Sequence, residues 1–172
     1  MMEAGHLVME AHAEGVDGFP SLLRKMMWDA NLTCIPEYRV YARCFSNGMV
    51  DYIATVDIVE PQVYAARFHD LGTSVEMAIQ FAAFTAMAGL RRDFAVVLEG
   101  PFTYFPIASP QNGVNIVLEP KEGASFFEWY AAKMVAFYDR MIRCVRHETW
   151  ETRRRIRALQ DAMDESMRGG DE

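Results

Sequence analysis

The chain has few of the residues that build covalent or metal frameworks. Three cysteines, Cys34, Cys44 and Cys144, stand in 172 residues, at spacings that match neither a zinc site nor a C-x-x-C redox pair. Reduced thiols in an intracellular protein, cytoplasmic or nuclear, are therefore expected rather than a disulfide scaffold. Histidine is as sparse, at four. No cysteine or carboxylate falls at ligand spacing around His6 and His12, so no metal and no cofactor is expected. His69 and Asp70 are neighbours on one candidate strand and point to opposite faces, which leaves them poorly placed as an acid–base pair; Asp70 reads as a solvated residue beside a turn. The chain also lacks G-x-S-x-G, G-x-x-x-x-G-K-[ST], G-x-G-x-x-G and H-E-x-x-H. It reads as non-enzymatic, with Cys34 and Cys44 as small apolar thiols lacking an activating histidine.

Two further shortages bound the partners. No uninterrupted apolar run reaches the ~18 residues of a membrane span, since even the most apolar stretch is broken by Glu76, Gln80 and Thr85; no membrane partner is expected. Positive charge is in deficit, with 17 Lys and Arg against 24 Asp and Glu and a net charge of −7. The average field of such a molecule repels phosphate, so polyanion binding would have to be local. The first 18 residues carry acids and no Lys or Arg, and read as a mobile acidic leader.

What is present is enough apolar surface, 51% of residues, for one full core. Phe19 to Leu32 places Leu22, Leu23, Met26 and Met27 on one side behind Pro20, a short amphipathic helix. Tyr38 to Phe45 alternates with period two, Ser46-Asn47-Gly48 turns it, and Val50 to Val59 should return antiparallel. Val63 to His69 gives a third strand before Gly72. Thr73 to Leu90 then reads as a helix with a T-x-x-E capping box from Thr73 to Glu76 and a stop at Gly89. An extended aromatic segment follows, Phe102 to Pro106, then a turn around Pro110 to Gly113 and a strand-like Val114 to Leu118. Ser125 and Glu128 form a second capping box, opening a helix that meets no Gly or Pro before Gly169. Its ~44 residues would span ~65 Å, more than the width of a domain of this size, so its first half should pack and its second half project. Its apolar stripe runs Phe127, Tyr130, Met134, Phe137 or Tyr138, Met141, Val145 and resumes at Ile156, Leu159 and Met163.

This order, helix, three strands, helix, resembles the double-stranded RNA-binding domain, and Gly72, Ala78, Ala82, Ala83, Ala86 and Leu90 stand where that family's second helix carries its turn glycine, packing alanines and leucine. The same alignment puts Val75, Glu76 and Ile79 where the family has its phosphate-contacting lysines, so the resemblance implies the fold without the RNA contact. The stretch Ser74 to Arg91 with Phe102-Thr103-Tyr104-Phe105-Pro106 is also similar to a family of uncharacterised plant proteins abundant in grass genomes, which implies a plant source and no assigned activity.

The expected architecture is thus α+β: a leader over 1–18, an α-β-β-β-α core with a three-stranded antiparallel sheet over 19–92, a covering segment over 93–124, a long helix over 125–168 and a tail over 169–172. Two sets of residues point outward from it. Met77, Phe81 and Phe84 form a second apolar face on the Thr73 helix that a plain core of this kind leaves wet, at a cost of a few kcal/mol. Either Phe102 to Pro106 and the aromatic start of the last helix cover it, or a second chain does. With Ile156, Leu159 and Met163 these residues make a candidate protein-binding set, for self-association as a homodimer or for another protein. The alternative is nucleic-acid binding through Arg140, Arg143, Arg146, Arg153, Arg154, Arg155 and Arg157, with Trp150 near for stacking. A solvated helix face whose arginines pair with Asp161, Asp164 and Glu165 is the simpler account of that cluster.

Overall fold

The computed structural model describes residues 6–11, 16–45, 48–100, 102–111 and 114–168. Helix α1 (Phe19–Asp29) buries Leu23, Met26 and Met27, the i, i+3, i+4 face that its sequence encodes. It has no side-chain cap of its own. Gln80 of the later helix supplies one: its Oε1 accepts from the Phe19 N–H at 2.9 Å and its Nε2 donates to the Asp17 carbonyl at 2.8 Å. That contact needs Gly18, whose φ is +91° and where a Cβ would lie 2.6 Å from the Gln80 oxygen.

Strands β2 (Glu37–Cys44), β3 (Val50–Glu60) and β4 (Tyr64–Gly72) form the expected antiparallel meander. Tyr38 and Val40, Ala54, Val56 and Ile58, and Phe68 face the helices. The other face carries Arg39, Asp57 and Arg67, joined by hydrogen bonds to both oxygens of Asp57. The hairpin closes as expected, with the Phe45 N–H donating to the Met49 carbonyl at 2.8 Å; Ser46 and Asn47 of its turn lie outside the described residues.

The sheet has four strands rather than three. Residues 6–11, expected within a mobile leader, form β1 (His6–Ala11), antiparallel to β2 with a register irregularity between Leu7 and Met9. Its own sequence alternates poorly, and what holds it is the free backbone edge of β2 together with a 2.8 Å pair between Glu10 and Arg39. A sequence window contains neither. The remainder of the leader, His12 included, and the tail lie outside the described residues.

Helix α2 (Val75–Asp93) crosses the sheet with its alanines buried. Its cap is Ser74 rather than Thr73: the backbone at Ser74 is extended and its Oγ accepts from the Met77 N–H at 3.1 Å, while the Thr73 hydroxyl turns to the Met77 sulfur. Gly89 does not end the helix, which runs on to Asp93. It is instead a point of close approach to β4, because a Cβ there would run into the Phe68 ring.

Beyond α2, Leu98 and Phe102 are buried in the main core and Phe105 packs against it. Buried Arg91 ties this segment down by donating to the Thr103 carbonyl at 3.2 Å; burial pulls its pKa below the ordinary arginine value, with Glu99 opposing. The strand expected over 114–118 is reduced to one bridge between Ile107 and Ile116. Then α3 (Phe126–Arg168) runs unbroken for 43 residues. Its capping box is reciprocal, Glu128 N–H to Ser125 Oγ at 3.3 Å and Ser125 N–H to Glu128 Oε2 at 2.8 Å. None of the described helices is long and apolar enough to cross a membrane.

Candidate interaction surface on the long helix

One face of α3 holds the helix to the domain. Its buried residues are Ala132, Val135, Asp139, Ile142 and Ile156, and Arg146 and Arg153 fall on the same face at helical spacing. Phe81 and Phe84 of α2 form a small core with Ile142, onto which Phe19, Met77, Tyr138 and Val145 pack. Phe19 meets Phe84 and Tyr138 edge-on at 4.9 and 5.2 Å between ring centres. The outer face of α2 is therefore covered within the chain, but not by the elements expected. Phe102 and Phe105 belong to the main core, and Phe126, Phe127 and Tyr130 are exposed. The reason is reach, since α3 crosses α2 near its own middle and its first turns lie past the contact.

Charged clamps complete the attachment. Buried Asp70 accepts from Arg146 Nε at 2.9 Å and from the Thr85 hydroxyl at 2.7 Å, while Arg146 Nη2 reaches the same carboxylate and Thr85. Burial opposes the charge on Arg146, but its bonds to Asp70 outweigh that and raise its pKa above the ordinary value. Asp51 on β3 binds Arg43 at 3.0 and 3.1 Å and Arg153 Nε at 2.8 Å. Asp139 accepts from Asn115 at 2.9 Å and is ion-paired with Arg143 at 3.0 Å. Breaking such a buried pair leaves a stranded charge worth ~3–5 kcal/mol, against ~0–1 kcal/mol for an exposed pair like Lys133–Glu119.

These clamps rearrange the arginine cluster. Arg146 and Arg153 are committed to the fold, Arg143 pairs with Asp139, and Arg154 lies over the Trp150 ring at 5.6 Å. Arg140, Arg155 and Arg157 are exposed. The partners of the clamping arginines Arg153 and Arg146 are Asp51 and Asp70, and Arg143 pairs with Asp139 within α3 itself, rather than with Asp161, Asp164 and Glu165. Asp70 is accordingly no solvated turn residue: it is 4% exposed, while His69 faces outward. The signal for it was its phase, because Tyr64, Ala66, Phe68 and Asp70 alternate toward the helices. Asp139 carried a similar signal in the helical spacing of Ala132, Val135, Asp139 and Ile142.

Of the candidate protein-binding residues, Phe81 and Phe84 are buried, Met77 is half-buried, and Ile156 sits where α3 leaves the domain. Leu159 and Met163 beyond it are 66% and 64% exposed. The larger apolar surface lies at the other end. Phe126, Phe127, Trp129, Tyr130, Phe137 and Met141 are all exposed, Phe127 at 83% and Phe137 at 56%. Of the stripe read from the sequence as packing, Tyr138, Val145 and Ile156 do pack, whereas Phe127, Tyr130, Phe137 and Met141 point outward. The true packing face carries Asp139, Arg146 and Arg153, whose charges disguise it.

Two of the concavities bordering α3 lie between it and the rest of the domain. One, of about 380 Å³, lies between Leu22, Met77, Phe81, Tyr138 and Met141 and is largely apolar. The other, of about 340 Å³, lies between the end of the β2–β3 hairpin and α3, walled by Met49, Val145, Ile156 and the Asp51–Arg153 pair. Among the described residues no cluster of His, Cys, Asp or Glu could hold a metal ion. The three cysteines are free. Burial, then the nearby Glu60 carboxylate, pushes the Cys34 thiol up, which lowers its thiolate fraction at neutral pH. Comparison of the chain with protein families, with curated proteins and with solved structures finds no match.

Proposed function

We propose that this chain is a non-enzymatic protein-interaction and self-association domain, built on a fold like that of double-stranded RNA-binding domains and lacking their phosphate-contacting lysines. The observation that carries this reading is the outward face of α3. A helix clamped to its domain by buried ion pairs holds a row of large aromatic side chains in water on its far side. Exposed apolar surface that is contiguous and rigidly presented is what protein interfaces use, with aromatic residues as anchors.

Nucleic-acid binding through the arginine helix is the second reading, favoured by the exposed Arg140, Arg154, Arg155 and Arg157 beside Trp150. It is weakened by the use of Arg146 and Arg153 as internal clamps and by exposed Glu76 near the start of α2. Binding to single- and double-stranded RNA at two salt concentrations separates the two. The proposal expects weak binding that Arg154→Ala, Arg155→Ala and Arg157→Ala leave unchanged. Tight binding with a steep salt slope that the triple variant abolishes would overturn it.

A further inference from the structure

We infer that the partner of α3 is a second copy of this chain, joined in a parallel two-stranded coiled coil through Phe127, Tyr130, Met134, Phe137, Met141 and Cys144; the inference rests on the interaction reading above and makes it specific. These six positions step 3, 4, 3, 4, 3 along the helix, the a and d spacing of a coiled-coil seam. The domain-facing residues Ala132, Val135, Asp139, Ile142 and Arg146 fall at the b and f positions of the same heptad, about 150° round the helix. The domain therefore grips the back of the helix and leaves the seam largely clear of itself, with Met141 bordering the concavity toward Leu22 and Phe81. Two copies joined at the seam would carry their domains on opposite sides.

Three features single out a second copy. The seam ends at Glu148 and Glu151, which take the next a and d positions, so its three heptads are bounded. A self-pairing seam covers like with like through a two-fold axis, and the outward side chains of Phe127, Tyr130, Phe137 and Met141 supply on the order of 500 Å² per chain, most of the ~800 Å² per partner that a stable interface buries. The flanks then fix orientation. The g positions include Lys133, Arg140 and His147, whereas the e positions are Ala131, Tyr138 and Val145. An antiparallel pair sets g against g and brings the cations together. A parallel pair sets g against e, which carries no cation: Ala131 there is exposed, while Tyr138 and Val145 are partly buried against the small core of the domain. Parallel pairing also places Cys144 opposite its own copy, whereas antiparallel pairing places it opposite Phe127.

The test uses the full chain with Cys34→Ser and Cys44→Ser, leaving Cys144. Sedimentation should give a dimer, weakened roughly 10-fold or more by Tyr130→Asp or Phe137→Asp and unchanged by Leu159→Asp or Met163→Asp. Because all four side chains are exposed, unchanged circular dichroism, and an unchanged thermal midpoint at concentrations where the chains are monomeric, should accompany each variant. Mild oxidation should link two chains through Cys144. A dimer lost on Leu159→Asp but kept on Phe137→Asp overturns the seam while sparing the interaction reading. A dimer lost on Phe137→Asp whose Cys144 resists linkage, but which links when Phe127→Cys is mixed with a chain holding Cys144, overturns the parallel orientation. A parent chain that stays monomeric throughout overturns self-pairing, and tight salt-sensitive RNA binding by that monomer overturns the interaction reading as well.

Discussion

Asp57 accepts from Arg67 Nη2 at 2.9 Å and from Arg39 Nη1 at 2.9 Å on the open face of the sheet. The hydrogen bonds from Arg67 hold its carboxyl below the usual range, against the upward pull of partial burial. A lowered folded-state pKa contributes stability above the ordinary value of about 3.9 that disappears as pH falls through the folded-state value. The difference in urea midpoint between wild type and Asp57→Asn should therefore shrink between neutral pH and about pH 3; a constant difference would contradict the assignment. Asp70 makes a sharper case, because its partner comes from α3. Arg146→Ala should cost about 2–3 kcal/mol in urea unfolding with an unchanged slope, less than for a fully buried pair because Arg146 is partly exposed. Asp70→Asn, which keeps hydrogen-bonding atoms in place, should cost less. A loss within ~0.5 kcal/mol for Arg146→Ala would mean that the clamp contributes nothing. Neither partner was identifiable from its own neighbourhood. The phase of Asp70 on β4 was visible, but the pairing spans 76 residues, and only the docked helix brings Arg146 to it.

Among the elements, those with strong local signals stand where their residues place them. β2 and β3 pair as a hairpin as expected, α1 follows its Pro20 and apolar face, and the start of α3 its Ser125–Glu128 box. Where two residues compete for one role, tertiary contacts decide. Thr73 and Ser74 both suit a cap, and Glu76 favoured Thr73, yet the approach of β4 leaves Ser74 extended and Thr73 against the Met77 sulfur. Ser74→Ala should cost about 1 kcal/mol and Thr73→Ala a few tenths in thermal or urea unfolding. The reverse order would contradict the observed cap. β1 shows the opposite limit: its six residues alternate weakly, and they become a strand because β2 offers an edge. In α3 the obstacle was a conflict of stripes. The aromatic stripe is the more apolar, so pattern alone assigns it to the core, while the buried stripe mixes Ala132, Val135 and Ile142 with Asp139 and Arg146. The charges on that stripe are tolerated because each meets a partner.

At the scale of the whole molecule, the four-stranded sheet with α1 and α2 on one face forms the main core, and α3 is attached to it by a small aromatic core, the Arg146–Asp70 and Arg153–Asp51 ion pairs and the hydrogen bond from Asn115 to Asp139. This attachment is what turns a long helix into a rigid display. It consumes the arginines that would otherwise make α3 a continuous basic rod, and it turns the aromatic residues away from the domain. The account thus links a stability device to a recognition surface: loosening the clamps should disturb α3 before it disturbs the sheet, and altering the outward face should disturb association without disturbing the fold. The most direct measurement is the mass in solution, by light scattering over a range of concentrations, of the wild-type chain beside Phe137→Asp. The account predicts twice the chain mass for the wild type, a single chain mass for the variant over the same range, and identical thermal midpoints at concentrations where both are monomeric. Equal masses for the two proteins at every concentration, whether both single or both double, would contradict it.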